Sequence, residues 1–166
     1  MSGHALSVIQ HIKLENYDGI ISIGGDGMFA EVFNGVTIRT AKDADIDIDD
    51  KNVSFVKPQI PVGFIPAGKD SNVPMLIKHK AFVSGSTDCI SMSLTGSADP
   101  VTAALHIVLG NQMQVDIISI HSERRLERFA MSMLSYGYFG DLLSHSEKYY
   151  VELYNVFLFC HQGIDV

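Results

Sequence analysis

The segment Ile20-Ile21-Ser22-Ile23 runs directly into Gly24-Gly25-Asp26-Gly27, and Met28 to Val36 then places Phe29, Val32, Phe33 and Val36 at helical spacing. An apolar strand, a glycine turn and an amphipathic helix in immediate succession commit a chain to an α/β unit, because a helix of this kind must bury its apolar stripe on the sheet it leaves. Glycines at 24, 25 and 27 free the backbone for positive φ and for close approach to a ligand. The turn is predicted to lie at a helix N-terminus, where unpaired N–H groups attract anions. Asp26 is the one side chain there able to do chemistry. The segment reads as a phosphate-handling turn.

The same pattern extends along the chain. Ala5, Val8, Ile9 and Ile12 fit one face of an opening helix, a strand is predicted over 19–23 and another over Val62 to Ile65, a helix near Pro100 to Leu109, and strands over Gln114 to Ser119 and Arg128 to Leu134. Strands alternating with helices indicate an α/β layered sheet. At 166 residues, 46% of them hydrophobic, the chain has the length of about one domain and enough apolar mass for a core.

The string GGDGMFAEV resembles the signature of the diacylglycerol, sphingosine and ceramide group of lipid kinases. IPVGFIPAG at 60–68 resembles the family's second strand and Pro-Ala-Gly turn. GSTDC at 85–89 resembles the continuation of that turn in the ceramide kinase branch, AALHIVLG at 103–110 the following helix, and LSYGYFGDLLSHSEK at 134–148 the aromatic-glycine-Asp and Ser-Glu-Lys segment. The resemblance implies a three-layer nucleotide-binding lobe of the diacylglycerol kinase catalytic-domain type, incomplete at both ends, with the opening strand and the lipid-covering lobe missing. Residues 1–149 are thus expected to be a partial catalytic domain and 150–166 a divergent tail.

Two departures accompany the match. In the family Pro-Ala-Gly runs straight into Ser-Thr-Asp, whereas here the seventeen residues Lys69 to Gly85 intervene. Their removal restores PAGSTDC, so the segment is expected to be an aberrant insertion such as a retained intron. The family also follows Ser-Glu-Lys with arginines for the nucleotide phosphates. This chain has Tyr150 at the first such position and no arginine after Arg128.

The activity implied by the resemblance is transfer of the ATP γ-phosphoryl group to the primary hydroxyl of ceramide, giving ceramide 1-phosphate, with this fragment expected to be impaired. Asp26 would be the general base, a role for which a carboxylate is suited because the loose transition state asks mainly for orientation and a place for the proton. Gly24, Gly25 and Gly27 would line the substrate, Asp141 would lie near the lipid headgroup, and Glu31 with Gly85, Ser86 and Thr87 would serve the nucleotide. For Asp88 and Asp141 a helix-capping role stands as the alternative, at helices starting near Cys89 and Leu142. Mg2+ is expected as phosphate counter-ion rather than in a protein cage. A cytoplasmic enzyme in peripheral contact with membranes follows by analogy. The alternatives are a non-catalytic product with a regulatory or residual binding role, and a sphingosine or diacylglycerol kinase relative.

Composition narrows the classes further. A formal charge of −7 without any Lys/Arg cluster argues against nucleic acid as a partner. The run DADIDIDD at 43–50 reads as a solvated loop, since the glycine and terminal Glu of an EF-hand are missing. Cys89 and Cys160 give no disulfide framework and fit a reducing compartment. The seven histidines show no ligand spacing, and His106 reads as packed on its helix. Neither a signal peptide nor an apolar run of ~18 residues is seen.

Overall fold

The strand–turn–helix unit forms where the sequence predicts it in the computed structural model, which describes residues 3–67, 89–131, 134, 137, 138 and 141. Strand β1 (Ile20–Gly24) leads into helix α2 (Asp26–Asp43), preceded by helix α1 (His4–His11). Strand β2 (Val62–Pro66) returns parallel to β1, with Ile20 opposite Val62 and Ser22 opposite Phe64. Parallel neighbours need a crossover, and α2 supplies it. The predicted second strand is one residue longer than expected. The insertion predicted at 69–85 and the tail at 150–166 lie outside the described residues.

The register fixes which face each side chain occupies. Ile20 and Val62 point toward α1 and α2, where they pack on Ile9, Val32 and Val36. Phe64 shares that face and joins Phe29 and Ile90. On the opposite face a Cβ added to Gly63 would lie 3.0 Å from Ile107 Cδ1. Glycine therefore lets Ile107 and its helix α4 (Pro100–Val108) approach β2 closely. Helices on both faces of a parallel pair give the three-layer α/β arrangement. Each fully buried aliphatic or aromatic side chain contributes roughly 1.5–3 kcal/mol.

Helix α3 (Cys89–Thr95) lies between β2 and α4 in sequence and precedes an Asp99 cap. The Asp99 carboxylate accepts the Thr102 N–H and hydroxyl, both at 2.8 Å, and Pro100 begins the helix where its missing N–H costs nothing. These bonds hold the Asp99 carboxyl below its usual range. His106, half-buried, meets Asn111 Nδ2 through Nδ1 at 3.2 Å.

Strands β3 (Ile118–His121) and β4 (Leu126–Ala130) form an antiparallel hairpin, with Ser119 opposite Phe129. The expected strands, 114–119 and 128–134, are displaced. The turn between β3 and β4 is tight, Ser122 N–H donating to the Arg125 carbonyl. Glu127 then lies exposed on β4, paired with Arg125 at 2.8 Å. Such a surface pair adds little stability.

The hairpin is fastened by polar bonds to two distant segments. Buried Asn34 donates to the Phe129 carbonyl at 3.0 Å and accepts its N–H at 2.8 Å, acting as a strand edge projected from a helix. Asp49 accepts the Leu126 N–H at 2.7 Å, and His121 Nε2 lies 3.0 Å from the Ile48 carbonyl. The acidic run is a solvated loop, its aspartates all exposed, that also docks the hairpin. Phe55 meets Phe129 edge to face at 4.9 Å.

Leu134, Gly137, Tyr138 and Asp141 belong to a second unit. In it the Asp141 N–H donates to the Gly137 carbonyl at 3.0 Å.

Replacing Asn34 by Ala strips the buried Phe129 N–H of its acceptor, and we expect about 2–3 kcal/mol of destabilisation in guanidinium unfolding. A second expectation concerns pH. Because the folded pKa of Asp99 is depressed, the stability difference between the wild type and Asp99→Ala should be fully present above the ordinary carboxylate value of 3.8 and vanish as pH falls through the lowered folded value. Paired melting curves between pH 2 and about 6 check it.

Candidate functional site

The parallel register brings the C-terminal ends of β1 and β2 side by side, the position where open α/β sheets bind ligands. Gly24 accepts the Ala67 N–H at 2.8 Å, which holds the glycine turn against the start of the Pro-Ala-Gly string. A Cβ on Gly24 would sit 3.1 Å from Met28 Cβ, so only glycine lets the helix follow the strand this tightly. Gly25, at φ −92°, is the N-cap of α2, and Gly27 lies within the helix. These two do not use the positive φ expected of them. Gly27 contributes bare space, since an added Cβ would meet nothing within 4 Å. Gly25 brings no side-chain cap to the helix start.

Asp26 is the first residue of α2 and is half-buried. Its Oδ2 accepts the Cys89 N–H at 3.1 Å and its Oδ1 the Ile90 N–H at 3.4 Å. The carboxylate thus caps the start of α3 from 63 residues away, where its negative charge meets the positive end of the helix dipole. Cys89 is the residue that follows Gly-Ser-Thr-Asp in sequence, and it is exposed.

Glu31 follows five residues later, roughly 140° around the helix, and faces elsewhere. Its Oε1 accepts the Gly3 N–H at 2.8 Å and its Oε2 the Ala5 N–H at 3.3 Å, so it caps α1. Arg39 serves the other end of α1, donating from Nη1 to the carbonyls of Ile9, at 3.0 Å, and Ile12. Of the predicted site residues, Gly24, Gly25, Asp26 and Gly27 share one turn and Glu31 is held at the beginning of α1. Gly85, Ser86 and Thr87, with Asp88, lie outside the described residues, and Asp141 belongs to the second unit.

Three features escape sequence reading. The N–H groups of Cys89 and Ile90 carry no side-chain signature, and Arg39 reads as an ordinary i,i+4 partner of Asp43. Asn34 had a signal: an amide between Phe33 and Val36 on an apolar stripe demands a buried partner. A shallow cleft of about 630 Å3 between Tyr17, Asp18, Arg39 and Lys57 lies at the opposite ends of the strands, away from the turn. No group of three or more His, Cys, Asp or Glu suited to a metal occurs among the described residues.

Residues 1–80 match the diacylglycerol kinase catalytic domain. The match agrees with the α/β layers and the glycine turn at the strand ends. The chain is 37% identical over 147 residues to a ceramide kinase of Mus musculus and 36% identical to one of Homo sapiens, the alignments covering 89% of this chain and 24% of each relative. It is 29% identical to sphingoid long-chain bases kinase 1 of Arabidopsis thaliana, over 89% of this chain and 16% of that protein. The chain thus spans about a quarter of the length of the ceramide kinases it matches.

Removing the Glu31 carboxylate with Ala should loosen the first turn of α1 by about 1 kcal/mol. Amide exchange at residues 5–8 should accelerate while Phe129 stays protected.

Proposed function

We propose that the chain carries the phosphoryl-transfer lobe of a lipid kinase, moving the ATP γ-phosphoryl group to the primary hydroxyl of ceramide. The observation that carries this reading is the Asp26 carboxylate, fixed at the C-terminal ends of two parallel strands beside a glycine turn. In the reaction the acceptor oxygen bonds to the γ-phosphorus, the bond to the β,γ-bridging oxygen breaks, ADP leaves, and Asp26 takes the hydroxyl proton. Gly24, Gly25 and Gly27 leave the approach to Asp26 open for the hydroxyl and phosphate. Gly85, Ser86 and Thr87 would contribute hydroxyls and N–H groups to the nucleotide, and Asp141 would contact the headgroup. Glu31 would serve the nucleotide end through the start of α1, which it holds.

One carboxylate at the turn fits Mg2+ that would be held mainly by phosphate oxygens rather than by a protein cage. Bound there, the ion would neutralise charge on the transferring group. The names of the relatives support a sphingolipid acceptor and leave the choice between ceramide and a sphingoid base to experiment. Peripheral contact with a bilayer follows from such an acceptor, and no described helix is long and apolar enough to cross one.

The test is transfer of radiolabelled phosphate from ATP to ceramide, sphingosine or diacylglycerol in mixed micelles. We expect ceramide to be preferred, Asp26→Asn to lower kcat by about 10²–10⁴-fold with its fold retained, and deletion of Lys69 to Gly85 to raise turnover. Unchanged turnover in Asp26→Asn would remove Asp26 from the base role. A wild-type chain that labels no lipid, before and after the deletion, would favour the non-catalytic alternative.

A further inference from the structure

We propose that Ile90 is a positioning residue for the Asp26 carboxylate; the inference rests on Asp26 being the proton acceptor. Ile90 makes both halves of the attachment. Its side chain, 3% exposed, is buried with Phe29 and Phe64, whose rings meet edge to face at 5.1 Å. Its backbone N–H donates to Asp26 Oδ1, next to the Cys89 N–H on Oδ2. Phe29 stands three residues beyond Asp26 on α2, close to the same face of that helix. The apolar seat of Ile90 and the carboxylate it touches are therefore built on one rigid helix start.

Helix α3 has only seven residues, too few to hold its own conformation in water. Its C-terminal side is tied locally, Ser91 and Thr95 hydroxyls donating to the Ser97 carbonyl at 2.8 and 2.9 Å. Those bonds shape the helix but do not place it against α2. Ile90 is its one fully buried apolar residue, beside the partly buried Leu94 on the same cluster, and as the residue next to Cys89 its seat decides where the two N–H groups lie. Truncating it loosens the two N–H groups on Asp26 and with them the orientation of the carboxylate toward the hydroxyl. Asp26 is the catalytic residue of the proposal, and Ile90 acts through it.

The experiment compares Ile90→Ala, Ile90→Val and Val36→Ala in the full chain. Val36 is equally buried, 2% exposed, but belongs to the separate cluster with Ile9 and Val32. Ile90→Ala should accelerate amide exchange at Cys89 and Ile90, shift the 13C carboxyl resonance of Asp26, and lower kcat about tenfold, with KM for ATP little changed. Ile90→Val should behave as wild type. Val36→Ala, at a similar loss of melting temperature, should leave the Asp26 resonance and kcat near wild type. Equal losses of kcat in Ile90→Ala and Val36→Ala, or an unmoved Asp26 resonance in Ile90→Ala, would overturn the proposal. If the chain labels no lipid before and after deletion of Lys69 to Gly85, the proposed function fails on that result. The resonance and exchange data then decide by themselves whether Ile90 places the carboxylate.

Discussion

Helix α2 holds the larger unit together through four polar side chains bonded to the backbone of three partners. Asp26 takes the N–H groups that open α3, Glu31 those that open α1, Arg39 the carbonyls that close α1, and Asn34 both backbone groups of Phe129 on β4. Backbone groups at helix ends and strand edges must be paired when they leave water, and here one helix pairs groups on three elements. Glu31 and Arg39 also match the dipole of α1, an acid at its positive end and a base at its negative end. With eight residues α1 could not persist alone, and both its ends are held.

Apolar packing supplies the bulk of the energy, and the polar ties supply geometry. The cluster of Ile9, Val32 and Val36 with Ile20 and Val62 would tolerate small slips of α1 along α2 at modest cost, because dispersion is nearly non-directional. The bonds at 2.8 to 3.4 Å would not, since a shift of an ångström leaves buried donors without acceptors. This division explains how Asp26 and Glu31, expected from the resemblance to serve chemistry, also perform structural work. Asp26 and Glu31 sit on the same helix, yet the α-helical repeat sends them to different partners.

Strand, glycine turn and helix over residues 20–36 were legible because period 2 and period 3.6 switch at three glycines, a pattern local in sequence. The Asp99-Pro100 helix start was legible for the same reason. The hairpin was displaced because charges at 123–127 resemble a solvated turn, while β4 carries exposed Glu127 and Arg128 on an edge held by Asn34 from far away in sequence. DADIDIDD is solvated as expected, and what its composition does not tell is that Asp49 also meets Leu126. Long-range bonds to backbone leave no trace in the partner's identity, and this is why the clasp between Asp26 and α3 could not be read. The glycine turn showed that a carboxylate was presented. Only the fold shows what orients it.

A carboxylate that is both clasp and base has a consequence for the order of events. While ionised, Asp26 accepts charge-assisted bonds from Cys89 and Ile90, roughly twice as strong as neutral ones. On the proposed mechanism it acquires the acceptor's proton as the phosphoryl group leaves ATP, and those bonds weaken at that moment. Helix α3 is then held chiefly by Ile90 between Phe29 and Phe64. The clasp is firm before transfer, when the hydroxyl has to be aligned, and slackest afterwards, when the product must depart. Loss of the proton to solvent restores the charge and draws the N–H groups back. An apolar anchor beside a titrating clasp lets one loosen without the other failing, which a helix start capped by a neutral side chain could not do.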